Sequence, residues 1–225
     1  MTMINQKLTE IHRAIREAEH AYGRQPGDVS LLAVSKTKPA EAIIAAYQAG
    51  QRHFGENYVQ EAISKQETLG HLDISWHFIG PIQSNKTKLI ARHFSWVHSV
   101  DSIKIAERLS GQRPGHLPPL NICLQINISD ENSKSGLNLE ELPGFYQQIK
   151  DLPNLKIRGV MAIPAPEDEF AKQRTPYKQL MAAVAAMGDN GWDAFSFGMS
   201  GDLEAAIAEG ATIVRIGTAL FGSRG

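Results

Sequence analysis

The chain has 225 residues, enough for one substantial core and too few for two ordinary domains with a linker, so residues 1–225 are expected to form a single domain. With 42% hydrophobic and 21% charged residues it has the makeup of a folded globular protein, which argues against disorder and against a membrane protein. Its 23 Lys and Arg against 24 Asp and Glu leave a net charge of -1, so no global field draws it to nucleic acid or an anionic membrane, and an anionic ligand needs a local site.

Leu8, Ile11, Ala14, Ile15 and Ala18 recur at helical spacing and predict a first helix over 5–22 that stops at Gly23. No apolar run near the N-terminus approaches the roughly 18 residues of a membrane span, and no export signal is visible. Together with a single cysteine this suits a cytoplasmic protein. Cys123 sits in the apolar run Leu120-Asn121-Ile122-Cys123-Leu124 and reads as a buried small hydrophobe rather than a nucleophile.

A continuous apolar run over 29–34 has the character of a strand buried on both faces. It leads into Ser35-Lys36-Thr37-Lys38-Pro39 and then a helix ending at Gly50, a phrase that repeats along the chain. Further strands are predicted at 52–54, 76–79, 96–100, 120–128, 155–162, 194–197 and 212–216. About eight strands alternating with helices imply right-handed crossovers and a parallel sheet, which at this length fits a closed (β/α)8 TIM barrel, preceded by the N-terminal helix, better than an open doubly wound sheet. Residues 111–119, rich in Pro and Gly, predict a loop, and Pro164, Pro166 and Pro176 obscure the start of the helix before the seventh strand.

In such barrels the chemistry sits at the carboxyl ends of the strands. Lys36 follows an apolar strand, where desolvation lowers an amine's pKa and exposes the free base that attacks carbonyls, so Schiff-base chemistry is one reading and a lysine snorkelling to the rim the other. Gly198-Met199-Ser200-Gly201-Asp202 and Gly217-Thr218 follow the last two strands and offer backbone amides and hydroxyls to a phosphate; a plain turn with Asp202 as helix cap is the alternative for the first. Arg215 lies within the apolar eighth strand and needs an acceptor, either a structural carboxylate or a ligand. The eight histidines show no paired metal-binding spacing, so no metal site is expected, and the basic stretch 86–93 reads as a solvated helix face.

Five segments in order, Ala33-Val34-Ser35-Lys36-Thr37-Lys38-Pro39, Phe54-Gly55-Glu56-Asn57-Tyr58-Val59-Gln60-Glu61, His77-Phe78-Ile79-Gly80-Pro81-Ile82-Gln83-Ser84-Asn85-Lys86, Gly198-Met199-Ser200 and Val214-Arg215-Ile216-Gly217-Thr218, closely resemble the pyridoxal phosphate homeostasis proteins. Asn127-Ile128-Ser129-Asp130-Glu131-Asn132-Ser133-Lys134-Ser135-Gly136 joins them, so the resemblance spans nearly the whole chain. It implies a fold similar to the barrel domain of alanine racemase. It also implies a Schiff base between Lys36 and pyridoxal 5'-phosphate (PLP), the phosphate held by Ser200, Gly217 and Thr218, Arg215 facing the pyridine nitrogen, and Asn57 approaching the cofactor. An Arg partner keeps that nitrogen unprotonated and the ring a weak electron sink, which disfavours transamination and decarboxylation.

Racemisation needs a second acid or base, which alanine racemase takes from a further domain and its dimer partner. Here the sequence stops soon after the eighth strand. The expectation is therefore a monomeric PLP-binding protein that stores, buffers or delivers the cofactor, meeting apo PLP-dependent enzymes transiently and running no dedicated reaction. The alternatives are a PLP-dependent amino-acid racemase using Tyr58 or a loop lysine as second base, and a class I aldolase-type Schiff-base enzyme. Met161 and His77 are expected near the ring or in the core, Glu56 and Tyr58 near the cofactor or on the rim, and Lys38 and Lys134 either as amines assisting transfer or as solvated loop residues.

Overall fold

The computed structural model describes residues 2–129, 135–188 and 191–222. In chain order the elements are α1 (Met3–Ala21), β1 (Ser30–Val34), α2 (Ala40–Gln48), β2 (His53–Glu56), α3 (Val59–Leu69), β3 (Ser75–Phe78), α4 (Thr87–His93), β4 (Trp96–Val100), α5 (Ile103–Gln112), β5 (Leu120–Ile126), α6 (Leu142–Ile149), β6 (Leu155–Ala162), α7 (Phe170–Ala186), β7 (Ala194–Ser196), α8 (Leu203–Ala208), β8 (Ile213–Ile216) and α9 (Thr218–Phe221). The eight strands pair in parallel in sequence order, and β8 returns to β1 through Ser30↔Ile213 to Ala33↔Ile216, closing the barrel.

The predicted elements are all present, with shifted ends that have local causes. α1 begins two residues early because the Thr2 hydroxyl accepts from the Asn5 amide at 3.3 Å, capping the first turn. β5 stops at Ile126 rather than 128 because Asn127 N donates to Leu137 O and Leu137 N to Gln125 O, so the returning chain takes over the ladder. Pro164 and Pro166 precede α7, whereas Pro176 lies inside it, where one backbone hydrogen bond is forgone.

Two hydrophobic layers follow from the period-two alternation of the strands. Phe54, Phe78, Val97, Ile122, Leu124 and Val160 join helix residues such as Ile43, Ile90, Leu109, Ile149 and Leu180 in one buried cluster between barrel and helices. Inside the barrel a smaller cluster holds Leu32, Cys123, Met161, Ala194 and Ile213, with Ile79 and Trp96 against it. Barrel interiors are ordinarily filled by branched aliphatic residues. Here His77, His98, Ser196 and Arg215 share that space, each no more than 5% exposed.

α1 seals the seam between β8 and β1. Its Glu19 carboxylate accepts from Gly27 N and Val29 N at 3.1 and 2.8 Å, and Arg24 just beyond it donates to the carbonyls of Ile207 and Ala211. The amides entering β1, including the buried Val29 N, are thereby satisfied. Gly159, at φ +150°, permits the close approach of β6 to β7, since a Cβ there would meet Ala194 O at 2.1 Å.

Candidate functional site

Lys36, Asn57, Ser200, Arg215, Gly217 and Thr218, drawn from β1, β2, β7 and β8 and the loops that follow them, line one cavity of about 410 Å³ at the carboxyl end of the barrel. Val34, Ile79, Met161, Ile163, Met199 and Gly201 complete its walls. The volume suits a small ligand. A further hollow of about 310 Å³ shares Asn57, Ile79, Met161 and Ile163 with it and extends toward Gln125 and Asn127.

The segment carrying Lys36 is held from both sides. Ser35, fully buried, donates through its hydroxyl to Glu56 Oε1 at 2.6 Å, and the Lys65 ammonium reaches Ser35 O at 2.8 Å, Glu56 Oε1 at 2.8 Å and Glu61 Oε1 at 2.6 Å. Glu61 also accepts from Thr37 N at 2.6 Å, and Thr37 adopts a left-handed φ of 62°, rare for a branched residue. This strained turn directly after Lys36 persists because α3 supplies the charges that fix it. Burial pushes the Glu56 carboxyl up from the usual range, with Lys65 and the Ser35 hydroxyl pulling it back. Glu56 is thus a buried part of the clamp and not a rim residue, whereas Tyr58 is 54% exposed at the rim.

Asn57 owes its place to Gly80. A Cβ at Gly80 would fall 2.3 Å from Asn57 O, so only glycine lets the end of β3 press against the residue after β2. Asn57 Oδ1 is buried and has no hydrogen-bond partner among the described residues, an acceptor at the edge of the cavity.

Of the two sequence readings of Arg215, the structural carboxylate is not met among the described residues. Among the described residues no carboxylate hydrogen-bonds to it; Nη1 donates to the Ser196 carbonyl and, at 3.0 Å, to Ser196 Oγ, and Nη2 to Ala162 O at 2.9 Å. Burial lowers its pKa, and Asp202 and Tyr177 oppose that only through space. A buried guanidinium held by neutral acceptors keeps its charge uncompensated. The cavity it lines therefore favours an anion.

The loop 198–202 is rigid for a reason other than a helix cap. Asp202 makes no side-chain bond to α8; its carboxylate accepts from Met199 N and from the Tyr177 hydroxyl, both at 2.6 Å. Burial, with Asp202 beside it, pushes the Tyr177 hydroxyl up, so it stays a donor. Gly198, at φ +94°, lies so close to Ala206 that a Cβ would meet its Cβ at 2.5 Å. Because α8 and α9 are one to two turns long, what they offer an anion is loop amides and the hydroxyls of Ser200 and Thr218 rather than a developed dipole.

Met161 lines the cavity as the sequence suggested, but His77 does not. It lies below, between His53 and His98, and borders a separate hollow of about 180 Å³ at the amino end of the barrel. Lys38 is half-buried beside the mouth, and Lys134 lies outside the described residues. The burial of Cys123 pushes its thiol up to about 12, as befits a core residue. Among the described residues no cluster of His, Cys, Asp or Glu could hold a metal ion, and no helix is long and apolar enough to cross a membrane. Lys88, Arg92 and His93 form the solvated face of α4, as expected. Sequence reasoning missed Glu61, Lys65, Ser196 and His98. The i,i+4 spacing of Glu61 and Lys65 signalled a pair but not that it reaches across to Ser35.

The sequence profile of the alanine racemase N-terminal domain family matches residues 7–225. The pyridoxal phosphate homeostasis protein of Pseudomonas aeruginosa is 58% identical over 224 residues, covering 100% of this chain and 97% of that protein. Its counterpart in Escherichia coli K12 is 52% identical over 229 residues, covering 100% and 98%. Among solved structures, PipY of Synechococcus elongatus with PLP bound superposes with a TM-score of 0.84 at 38% identity, covering 98% of this chain and 100% of PipY. With its whole length covered by these relatives at 52–58% identity, the chain belongs to the pyridoxal phosphate homeostasis protein family.

Proposed function

We propose that the chain binds PLP in the carboxyl-end cavity, with Lys36 as covalent anchor, and serves intracellular PLP homeostasis by storing, buffering or delivering it. One observation carries this reading: six residues nominated by sequence converge on a single cavity whose floor is a buried Arg215 that no carboxylate among the described residues pairs. The residues fit the group. Ser200, Gly217 and Thr218 offer amides and hydroxyls to a phosphate dianion, Arg215 complements the anionic ligand, Asn57 presents an unsatisfied acceptor, and Lys36 brings a primary amine on a braced turn. When bound, PLP supplies an aldehyde that condenses with amines and a ring that delocalises charge.

The relatives' names support homeostasis over a dedicated reaction, and PipY, 38% identical, has been solved with PLP bound. The proposal extends to residues 1–225 acting as one cytoplasmic, monomeric binding unit that meets apo PLP-dependent enzymes transiently. The test is direct. Protein reconstituted with PLP should absorb in the visible, and borohydride should fix the cofactor's mass to a peptide containing Lys36. Lys36→Ala should be colourless; an unchanged spectrum in that variant overturns Lys36 as anchor, and trapping of a keto substrate on chromophore-free protein points to the aldolase chemistry instead.

A further inference from the structure

The floor of the cavity continues into a file of hydrogen bonds that the cofactor reading does not use. Arg215 Nη1 lies 3.0 Å from Ser196 Oγ, Ser196 Oγ 2.8 Å from His98 Nδ1, His98 Nε2 2.9 Å from His77 Nδ1, and His77 Nε2 3.0 Å from His53 Nδ1. His98 on β4 meets Ser196 on β7 across the barrel lumen, and His53 opens onto the hollow at the amino end. We propose that Ser196, His98, His77 and His53 are positioning residues for Arg215, forming a directional relay that carries the protonation state of His53 across the barrel to the cavity floor. Its regulatory meaning rests on the cofactor reading; its existence does not.

Direction follows from donor arithmetic. A guanidinium only donates, so Ser196 Oγ accepts from Arg215; accepting from His98 as well would leave its own hydrogen without a partner among the described residues, so the favoured arrangement points that hydrogen at His98 Nδ1. An imidazole accepting at Nδ1 carries its proton on Nε2 and donates there, so His98 donates to His77 Nδ1 and His77 to His53 Nδ1. Ser75 Oγ, 3.4 Å from His77 Nε2, shares that last proton. All three rings thus favour one tautomer, the one that leaves the Ser196 hydroxyl fully paired at the Arg215 end. They are also kept neutral. Burial and the Arg215 charge hold His98 down to about 3, and burial with its ring neighbours holds His77 well below its ordinary value. Trp96 lies parallel to His77 at 5.3 Å and carries the Arg158 guanidinium over its ring, a neighbouring positive charge that opposes protonation of His77.

His53 is the exception, being exposed and facing Asp28 before β1, Trp96 on β4, Arg158 on β6, Asp193 before β7 and Thr212 before β8, besides His77 on β3. Partial burial lowers its pKa from 6.5. When it takes a proton from water, both its nitrogens donate, so His77 Nε2 must accept. His77 and His98 then each keep one proton but hold it on Nδ1. Ser196 Oγ now accepts from His98 as well as Arg215 and turns its hydrogen elsewhere. One proton enters and stays on His53, no charge enters the barrel, and the hold of Ser196 on Arg215 is shared with a competing donor.

The experiment is long-range proton–nitrogen correlation NMR on the full chain labelled with nitrogen-15 histidine and free of PLP. At neutral pH both His77 and His98 should be protonated at Nε2 alone; either ring protonated at Nδ1, or a mixture, overturns the relay. Ser196→Ala keeps the backbone carbonyl that binds Arg215 but removes Oγ, and it should release both rings into tautomer mixtures; unchanged rings also overturn it. On acidification the interior rings should exchange tautomer with the midpoint of His53. Rings that stay put while His53 titrates, or a His53 that does not titrate above acid unfolding, overturn the coupling. With PLP added, the bound visible band should shift in Ser196→Ala. A wild-type chain that takes up no PLP ends the cofactor reading and leaves the tautomer result standing, whereas PLP uptake with mixed tautomers ends only the relay.

Discussion

Lys65 Nζ lies 2.8 Å from Glu56 Oε1 with both side chains almost wholly withdrawn from solvent, and the same ammonium donates to the Ser35 carbonyl, so one buried ion pair grips the peptide leading into Lys36. Breaking such a pair costs more than forming it gains, because the survivor is left as an uncompensated buried charge. Lys65→Met should therefore destabilise the protein by about 3–5 kcal/mol. Glu56→Gln combined with Lys65→Met should recover much of that loss. Denaturant unfolding of the single and double variants measures both, and additive losses would contradict the account.

Acid lability should arise from the barrel interior. His98 is held down to about 3 when folded but returns to about 6.5 when unfolded, so below 6.5 the unfolded chain binds the extra proton and stability is lost as pH falls. His77 contributes in the same direction. At roughly 1.4 kcal/mol per unit, His98 alone gives a slope worth several kcal/mol across that window. His98→Gln should flatten the dependence of the unfolding midpoint on pH between 6.5 and 3. A slope equal to wild type would remove the interior histidines as its source.

Gly80→Ala should be costly at a distance from the ligand. The added Cβ would stand 2.3 Å from Asn57 O, so β3 and the segment after β2 must part. Overpacking of this kind costs about 1–3 kcal/mol. The variant should lose both thermal stability and PLP affinity, by spectroscopic titration, whereas Gly111→Ala, with nothing within 4 Å, should spare affinity.

Cys123 should be inert while the barrel is closed. Its thiol is buried and pushed up to about 12, so alkylation by iodoacetamide near neutral pH should be negligible in native protein and complete in denaturant. Mass spectrometry of the intact chain reads the difference, and rapid native labelling would refute the packing of the inner cluster.

The barrel was legible because parallel strands buried on both faces read as short continuous apolar runs, and glycine and polar punctuation marked where each ended. That same punctuation exposed the mouth, since Lys36, Asn57, Ser200 and Thr218 all sit beyond strand ends and Arg215 lies one residue before the end of β8. The relay was hidden for the opposite reason. His53, His77 and His98 lie on separate strands, and only the register His53↔Ser75 and His77↔Trp96 brings them together. Strand parity offered a clue, because an inward Asn57 implies an inward Gly55 and His53. The clamp around Lys36 was hidden too, since a helix surface pair such as Glu61 and Lys65 reveals nothing of the loop it leans on.

β7 and β8 share a single register position, Ser196↔Ile213, flanked by the backbone bonds Phe197 N to Ile213 O and Arg215 N to Gly198 O, and the Arg215 side chain adds bonds that stitch β8 to carbonyls on β7 and β6. Under the proposed function, one guanidinium thus serves as both rivet and receptor. Evolution has little freedom at position 215: any replacement that retunes ligand affinity also loosens a stave, and drift there must wait for a compensating bond elsewhere in the wall.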